Sequence, residues 1–225
     1  SRFYDAASGY KYNHLTLMGF SLTHLSGTGI PDLGDFLFIP GTGEMKLEPG
    51  THEDPDQGYR SRYSHDKEWA SPNYYAVELA DYGVKAEMTS GVRSGMFRFT
   101  YPESDNAFIM IDMNHTLWQS CEWSNLRMIN DSTITGYKLV KGWGPERHVY
   151  FTATFSKKLT GLRFVQDKKP VIYNTSRFRS SYEAWGKNLM ACISFDTKAG
   201  EEVTVKTAIS AVSTDGARNN MKELD

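Results

Sequence analysis

From residue 74 onward, apolar and polar positions alternate with period two. Tyr75, Val77 and Leu79 are interleaved with Ala76 and Glu78, and Val84, Ala86 and Met88 with Lys85, Glu87 and Thr89. Between them Asp81-Tyr82-Gly83 offers a short turn in which Gly83 can take a positive φ. The pattern predicts a hairpin. Further strands are predicted over residues 95–101, 107–113, 148–155, 159–166, 189–195 and 203–211, with a turn at 196–200. Residues 107–113 are almost all apolar, which fits a strand buried on both faces. No window of helical period competes before Thr214. Short strands with turns every ten residues or so predict one all-β domain, an antiparallel sandwich or barrel, over residues 1–213.

The two ends of the chain break this pattern. Gly and Pro cluster between Gly27 and Gly58, where the only clear strand is 36–39. So long a loop-rich segment needs packing on the domain, or a partner, to order it. Residues 214–225 read as the first turns of a helix. A helix this short is marginal alone, so the segment is expected to begin a helical linker in a longer chain.

Composition narrows the picture. A chain of 225 residues can bury a core without disulfides or metals. Aromatics at 13% suit strands and sugar-stacking surfaces. A net charge of −2 gives no field that would favour nucleic acid or an anionic membrane. The longest apolar run, residues 107–111, is too short to span a bilayer. The chain starts Ser1-Arg2 without Met, which leaves room for processing or truncation. Cys121 and Cys192 could pair in an oxidising compartment, but two buried thiols are the favoured reading. Glycosylation sequons at Asn114, Asn130 and Asn174 do not fix the compartment.

Candidate chemistry concentrates in Gly19-Phe20-Ser21-Leu22-Thr23-His24-Leu25-Ser26-Gly27-Thr28-Gly29. The glycines allow close backbone approach to a ligand, Ser26 and Thr28 add hydroxyls, and His24 can donate to a sugar hydroxyl. A tight turn capping a strand explains the same residues. The lysine of a phosphate loop is absent. Asp32 and Asp35 lie too close together on one loop to flank a sugar ring as acid and base, so turn-capping or hydrogen-bonding roles are expected. Glu53-Asp54-Pro55-Asp56 could attract calcium, although a solvated acidic loop fits better. In residues 60–69, Tyr63 and Trp69 could stack on a sugar with His65 and Asp66 bonding hydroxyls, or the stretch is an ordinary surface loop. The histidines lack zinc-ligand spacing, and no catalytic triad stands out.

The stretch from Gly19 to Gly29 resembles the N-terminal signature of glycoside hydrolase family 92, the α-mannosidases. Asp32-x-Gly-Asp35 continues it. Tyr63-Ser64-His65-Asp66-x-Glu68-x-Ala70-Ser71-Pro72-x-Tyr74-Tyr75 resembles a second block. Leu79-x-Asp81-Tyr82-Gly83-Val84-Lys85-Ala86-Glu87 resembles the hairpin after it. Ile209-Ser210-x-Val212-Ser213 and Ala217-x-Asn219 resemble the exit toward a helical linker. The resemblance implies a supersandwich-like β-sandwich, then a linker and an (α/α)6 catalytic domain. It implies a calcium-dependent, inverting exo-α-mannosidase whose acid, base and most calcium ligands lie in that second domain.

On this expectation the chain alone is inactive and completes the mannose pocket at the interface with the downstream catalytic domain. His24, Ser26, Gly27, Thr28 and Gly29 are the candidate wall of the mannose site, and Trp69 lies toward the leaving group. No catalytic or metal residue is assigned within the chain. Substrates would be α-mannoside glycans, and the location periplasmic or secreted. The alternatives are a free-standing carbohydrate-binding module and a β-sandwich used for protein contacts.

Overall fold

The computed structural model describes residues 9–25, 29–172 and 183–224. Among them the strands run in the order β1 (Thr16–Leu17), β2 (Leu37–Thr42), β3 (Ser61–Arg62), β4 (Glu68–Ser71), β5 (Tyr74–Leu79), β6 (Val84–Ser90), β7 (Ser94–Tyr101) and β8 (Ser104–Asp112). There follow β9 (Ser120–Asn130), β10 (Thr133–Lys141), β11 (Arg147–Phe155), β12 (Gly161–Gln166), β13 (Lys169–Pro170), β14 (Glu183–Gly186), β15 (Leu189–Thr197) and β16 (Glu201–Ser210). One nine-stranded sheet has the order β14-β9-β10-β11-β16-β7-β6-β5-β4, a five-stranded sheet the order β13-β12-β15-β8-β2, and β1 pairs with β3. All pairings are antiparallel.

The expected antiparallel sandwich is therefore present. Its main core lies between the sheets: Val77, Val84, Phe97, Phe99, Ile134, Phe151 and Val205 of the large sheet face Phe38, Ile109, Ile111, Phe164 and Ile193 of the small one. Burying each of these large side chains contributes about 1.5–3 kcal/mol relative to exposure. β8 is buried on both faces, as its apolar run predicts. Ala107, Ile109 and Ile111 join the main core, while Phe108 and Met110 point into a second one.

That second core explains the loop-rich first third. Met45, Leu47 and Tyr59 cover the outer face of the small sheet, against Leu37, Ile39, Phe108 and Met110. The Tyr59 hydroxyl donates to Asp112 Oδ2 at 3.0 Å, fixing the end of this cover. Cys192 is free and buried in this second core, and Cys121 is free and buried elsewhere, so the favoured pair of buried thiols holds.

The predicted helix forms as α1 (Thr214–Asn220), and a 3-10 turn (Met221–Leu224) follows. Ser213 caps it, its Oγ accepting from Gly216 N at 2.9 Å. The helix packs on the large sheet's outer face, over Thr152 and Ala208, with Ala217 fully buried. Glu223 then accepts from Arg93 and Ser94 at the start of β7.

Candidate functional site

A cleft of about 340 Å3 opens where β1, β2 and residues 19–24 meet β5 and β6. Small-ligand pockets ordinarily occupy roughly 300–1,000 Å3. Its walls include His14, His24, His52, Arg60 and His115, together with Tyr63 and Tyr75. Among its described lining residues there is neither Asp nor Glu. The ionisable lining groups are thus cationic or neutral, apart from the tyrosines at high pH.

Close backbone packing fixes the start of the signature. A Cβ on Gly19 would lie 2.6 Å from the Phe38 carbonyl oxygen and 2.9 Å from the Ile39 side chain. Only glycine therefore lets Phe20 exchange two 2.8 Å backbone hydrogen bonds with Phe38 of β2. His24, paired by a single bridge with Leu33, is exposed on the cleft wall. Gly29 is exposed with φ +70° and does not line the cleft. Ser26, Gly27 and Thr28 lie outside the described residues.

The hydroxyls of Ser21 and Thr23 serve the protein itself. Ser21 Oγ donates to the Asp35 carbonyl at 2.6 Å. Thr23 Oγ1 accepts from Asp35 N at 2.7 Å and donates to Asp35 Oδ2 at 3.2 Å. The Asp35 carboxylate is fully buried and receives both Arg147 Nη atoms, at 2.9 and 3.0 Å, with Lys138 Nζ 3.7 Å away. Lys138, on the inner side of β10, donates to the His115 carbonyl, and His115 Nδ1 donates to the Gly34 carbonyl at 2.7 Å. Burial pushes the Lys138 and His115 pKa values down. Leu33 and Phe36, either side of Asp35, hold φ values of +68° and +54°, strain of about 1–3 kcal/mol each that this buried network offsets. Asp32 caps Leu33 N at 2.7 Å. Both aspartates thus have the hydrogen-bonding roles expected of them.

The second block separates into three environments. Tyr63 is buried in the main core beside the cleft. His65 is pinned by two acceptors, the Glu68 carboxylate and the Tyr12 carbonyl, and Tyr12 stacks on its ring at 4.1 Å. With both ring nitrogens donating, the imidazolium is favoured, and the hydrogen bond to Glu68 raises its pKa. Glu68 also accepts from the Tyr75 hydroxyl at 2.6 Å. Asp66 is the middle residue of a short 3-10 turn (His65–Lys67), its N donating to Oγ of the N-cap Ser64. Trp69, on β4 opposite Ala76, is 48% exposed beneath Lys85 Nζ and is absent from the cleft lining. His24 and Trp69 therefore do not share a site within this chain.

In the acidic loop, Asp56 forms a bidentate pair with Arg62 and Asp54 accepts from Gln57. Among the described residues no group of three or more His, Cys, Asp or Glu side chains is arranged to hold a metal. The cleft, with imidazoles, a guanidinium and hydroxyls, does not suit calcium, which takes six to eight oxygens and favours carboxylates.

Arg60, Lys138, Arg147 and His115 were not singled out from the sequence. The one available signal was a lysine at a core-facing position of a strand, and it required β10 to be recognised first.

The profile of the glycosyl hydrolase family 92 N-terminal domain matches residues 2–210. The family GH92 inverting mannosidase BT2199 from Bacteroides thetaiotaomicron superposes with a TM-score of 0.75 at 23% identity over 96% of this chain. The family GH92 glycosyl hydrolase ccman5 gives 0.77 at 22% identity, again over 96%. The chain spans 27% and 29% of those two proteins. Curated protein sequences give no match.

Proposed function

The chain belongs to the glycosyl hydrolase family 92 N-terminal domain family, and from that premise we propose that it is the N-terminal domain of a calcium-dependent, inverting exo-α-mannosidase. The observation that carries this reading is a family match along nearly the whole chain, in a fold that occupies under a third of two solved family GH92 proteins. A cleft with no carboxylate among its described lining residues supports a division of labour. This domain contributes binding surface, and a catalytic domain of the same protein supplies the acid, the base and the calcium ligands. In this reading His24 and the segment through Ser26, Gly27, Thr28 and Gly29 form one wall of the mannose pocket, and the protein acts in the periplasm or outside the cell. Trp69 faces away from the cleft, which weakens its part in the pocket unless the second domain reaches that face.

The test is release of mannose from α-mannosides by the intact protein, with and without a calcium chelator. Activity abolished by chelation and reduced roughly tenfold in kcat/KM by His24→Ala is expected, the latter being the loss of about one hydrogen bond in the transition state. No mannose release from any α-linked mannobiose would overturn the reading. Chelator-resistant activity would remove calcium from it.

A second reading, a free-standing carbohydrate-binding module, draws on the large sheet's outer face. Trp185, Asn125, Tyr137 and Tyr150 are in register across β14, β9, β10 and β11, with Trp123 two residues from Asn125. Trp123 and Trp185 are about half exposed. Aromatic rings exposed in a row can stack on sugars. Mannan binding that disappears in Trp185→Ala, with no hydrolysis by the intact protein, would favour this reading over the first.

A further inference from the structure

We propose that the floor of the cleft is an oxyanion site, built by Arg60, His52 and His14, that takes a phosphate or carboxylate group carried by a ligand. Arg60 is 8% exposed and lines the cleft. A guanidinium has five N–H donors and remains charged. Here Nη1 reaches Thr16 Oγ1 and His52 Nε2 only at 3.5 Å each, and the buried Nε has no partner. Among the described residues no carboxylate lies within ion-pair distance, Glu53 acting on Arg60 only through space. A buried cation without a counter-charge is costly, and a bidentate oxyanion is the group whose geometry matches the idle donors.

The neighbouring rings fit the same ligand. His52 Nδ1 lies 2.8 Å from Thr16 Oγ1, and the His14 ring packs on His52 with centroids 4.0 Å apart. A neutral His52 with its proton on Nδ1 would donate to Thr16 Oγ1 and accept from Arg60 at Nε2. Burial and then the Arg60 charge hold the His52 pKa down, while burial, Lys11 and Arg60 do the same for His14. An anion bound at Arg60 would reverse the electrostatic part of both shifts and turn the imidazoles into further donors. The inference does not rest on the mannosidase reading, since any glycan or other ligand bearing the group would serve.

The probe is inorganic phosphate, titrated into the intact protein while the imidazole resonances of His14 and His52 are followed by NMR. Saturable shifts with a dissociation constant on the order of 1 mM or tighter are expected, with the His52 pKa rising as the site fills. Arg60→Met should weaken binding roughly tenfold or more, and His52→Gln less. Titration with mannose 6-phosphate, glucuronate and neutral mannose then separates phosphate from carboxylate ligands and both from the neutral sugar. Absence of any shift at the two histidines would overturn the proposal. Undiminished binding in Arg60→Met, with the melting transition retained, would overturn it equally. Hydrolysis of neutral α-mannosides by the unaltered protein is read separately, so failure of the mannosidase reading and failure of this one are told apart.

Discussion

Two places in this molecule bury positive charge, and they resolve it in opposite ways. Around Asp35, a fully buried carboxylate meets Arg147 through two hydrogen bonds, keeps Lys138 within 4 Å and takes a third donor from Thr23. In the cleft nearby, Arg60 has marginal contacts to a threonine and a histidine and no carboxylate among the described residues. The first arrangement is closed. Each strong donor finds an acceptor inside the domain, and Leu33 and Phe36 are held in strained backbone geometry as a result. The second is open, since Arg60 lines a cleft that a ligand can enter and its Nε has no partner. Buried charge alone therefore does not mark a binding site; what distinguishes the two is whether the counter-charge is already present.

The largest test of this contrast is Asp35→Asn. It leaves Lys138 and Arg147 without their anion while preserving shape, and should destabilise the domain by about 3–5 kcal/mol in urea unfolding. A loss below about 1 kcal/mol would mean that the closed network is not what holds the signature loop. Lys138→Met is the smaller perturbation. Asp35 keeps the two hydrogen bonds from Arg147, and the methionine fills the core-facing position, so a loss of about 1–2 kcal/mol is expected, chiefly from the orphaned His115 carbonyl.

How far this contrast was legible in the sequence depends on which partners each residue needs. The strands with two-fold alternation, β5 to β8, β11, β12, β15 and β16, were readable because one or both faces enter the core. The β9–β10 hairpin was not, although its two strands are 11 and 9 residues long. Its inward positions include Ser124, Gly136 and Lys138, which erase the apolar rhythm: Lys138 faces the Asp35 network, Ser124 donates to the Gly186 carbonyl, and Gly136 makes room for Phe151. The same substitution of polar for apolar hid the closed site, since Asp35 is visible on a loop while its partners come from residues 138 and 147. Of the mannose-site candidates, His24 lies on the cleft, Gly29 is not among its lining residues, and Trp69 lies on the other side of the large sheet. Alternation places Trp69 opposite Glu68 across the sheet, but only the assembled order of strands shows which face carries the cleft. Arg60 had no sequence signal at all, because an unsatisfied guanidinium is defined by what does not surround it.

Arg60→Met sharpens the comparison from its open side. Removing a buried charge that lacks a partner should leave stability unchanged or raise it by up to about 1 kcal/mol in phosphate-free buffer, since methionine retains the apolar stem's contacts. Destabilisation beyond about 2 kcal/mol would show that Arg60 is compensated after all, and the two sites would no longer differ in kind.

The smallest effect is in the pH dependence, and here two histidines should have opposite signs. The His52 pKa is lowered in the folded protein by burial, Arg60 and His14, with Glu53 opposing. The unfolded chain therefore binds a proton that the folded one refuses as pH falls through about 6.5, and stability is lost on that acid side. His14, lowered by burial, Lys11 and Arg60, adds to the same trend. The His65 pKa is raised by Glu68, so its contribution is fully present below about 6.5 and fades as pH rises through the folded value. Unfolding measured from pH 8 to pH 5 should consequently show wild type losing stability on acidification relative to His52→Gln, and gaining it relative to His65→Gln. Saturating phosphate should shrink the first difference, because the bound anion restores the proton affinity of His52, and leave the second untouched, because His65 already has its carboxylate. If phosphate leaves both differences unchanged, the open site does not receive its counter-charge from solution.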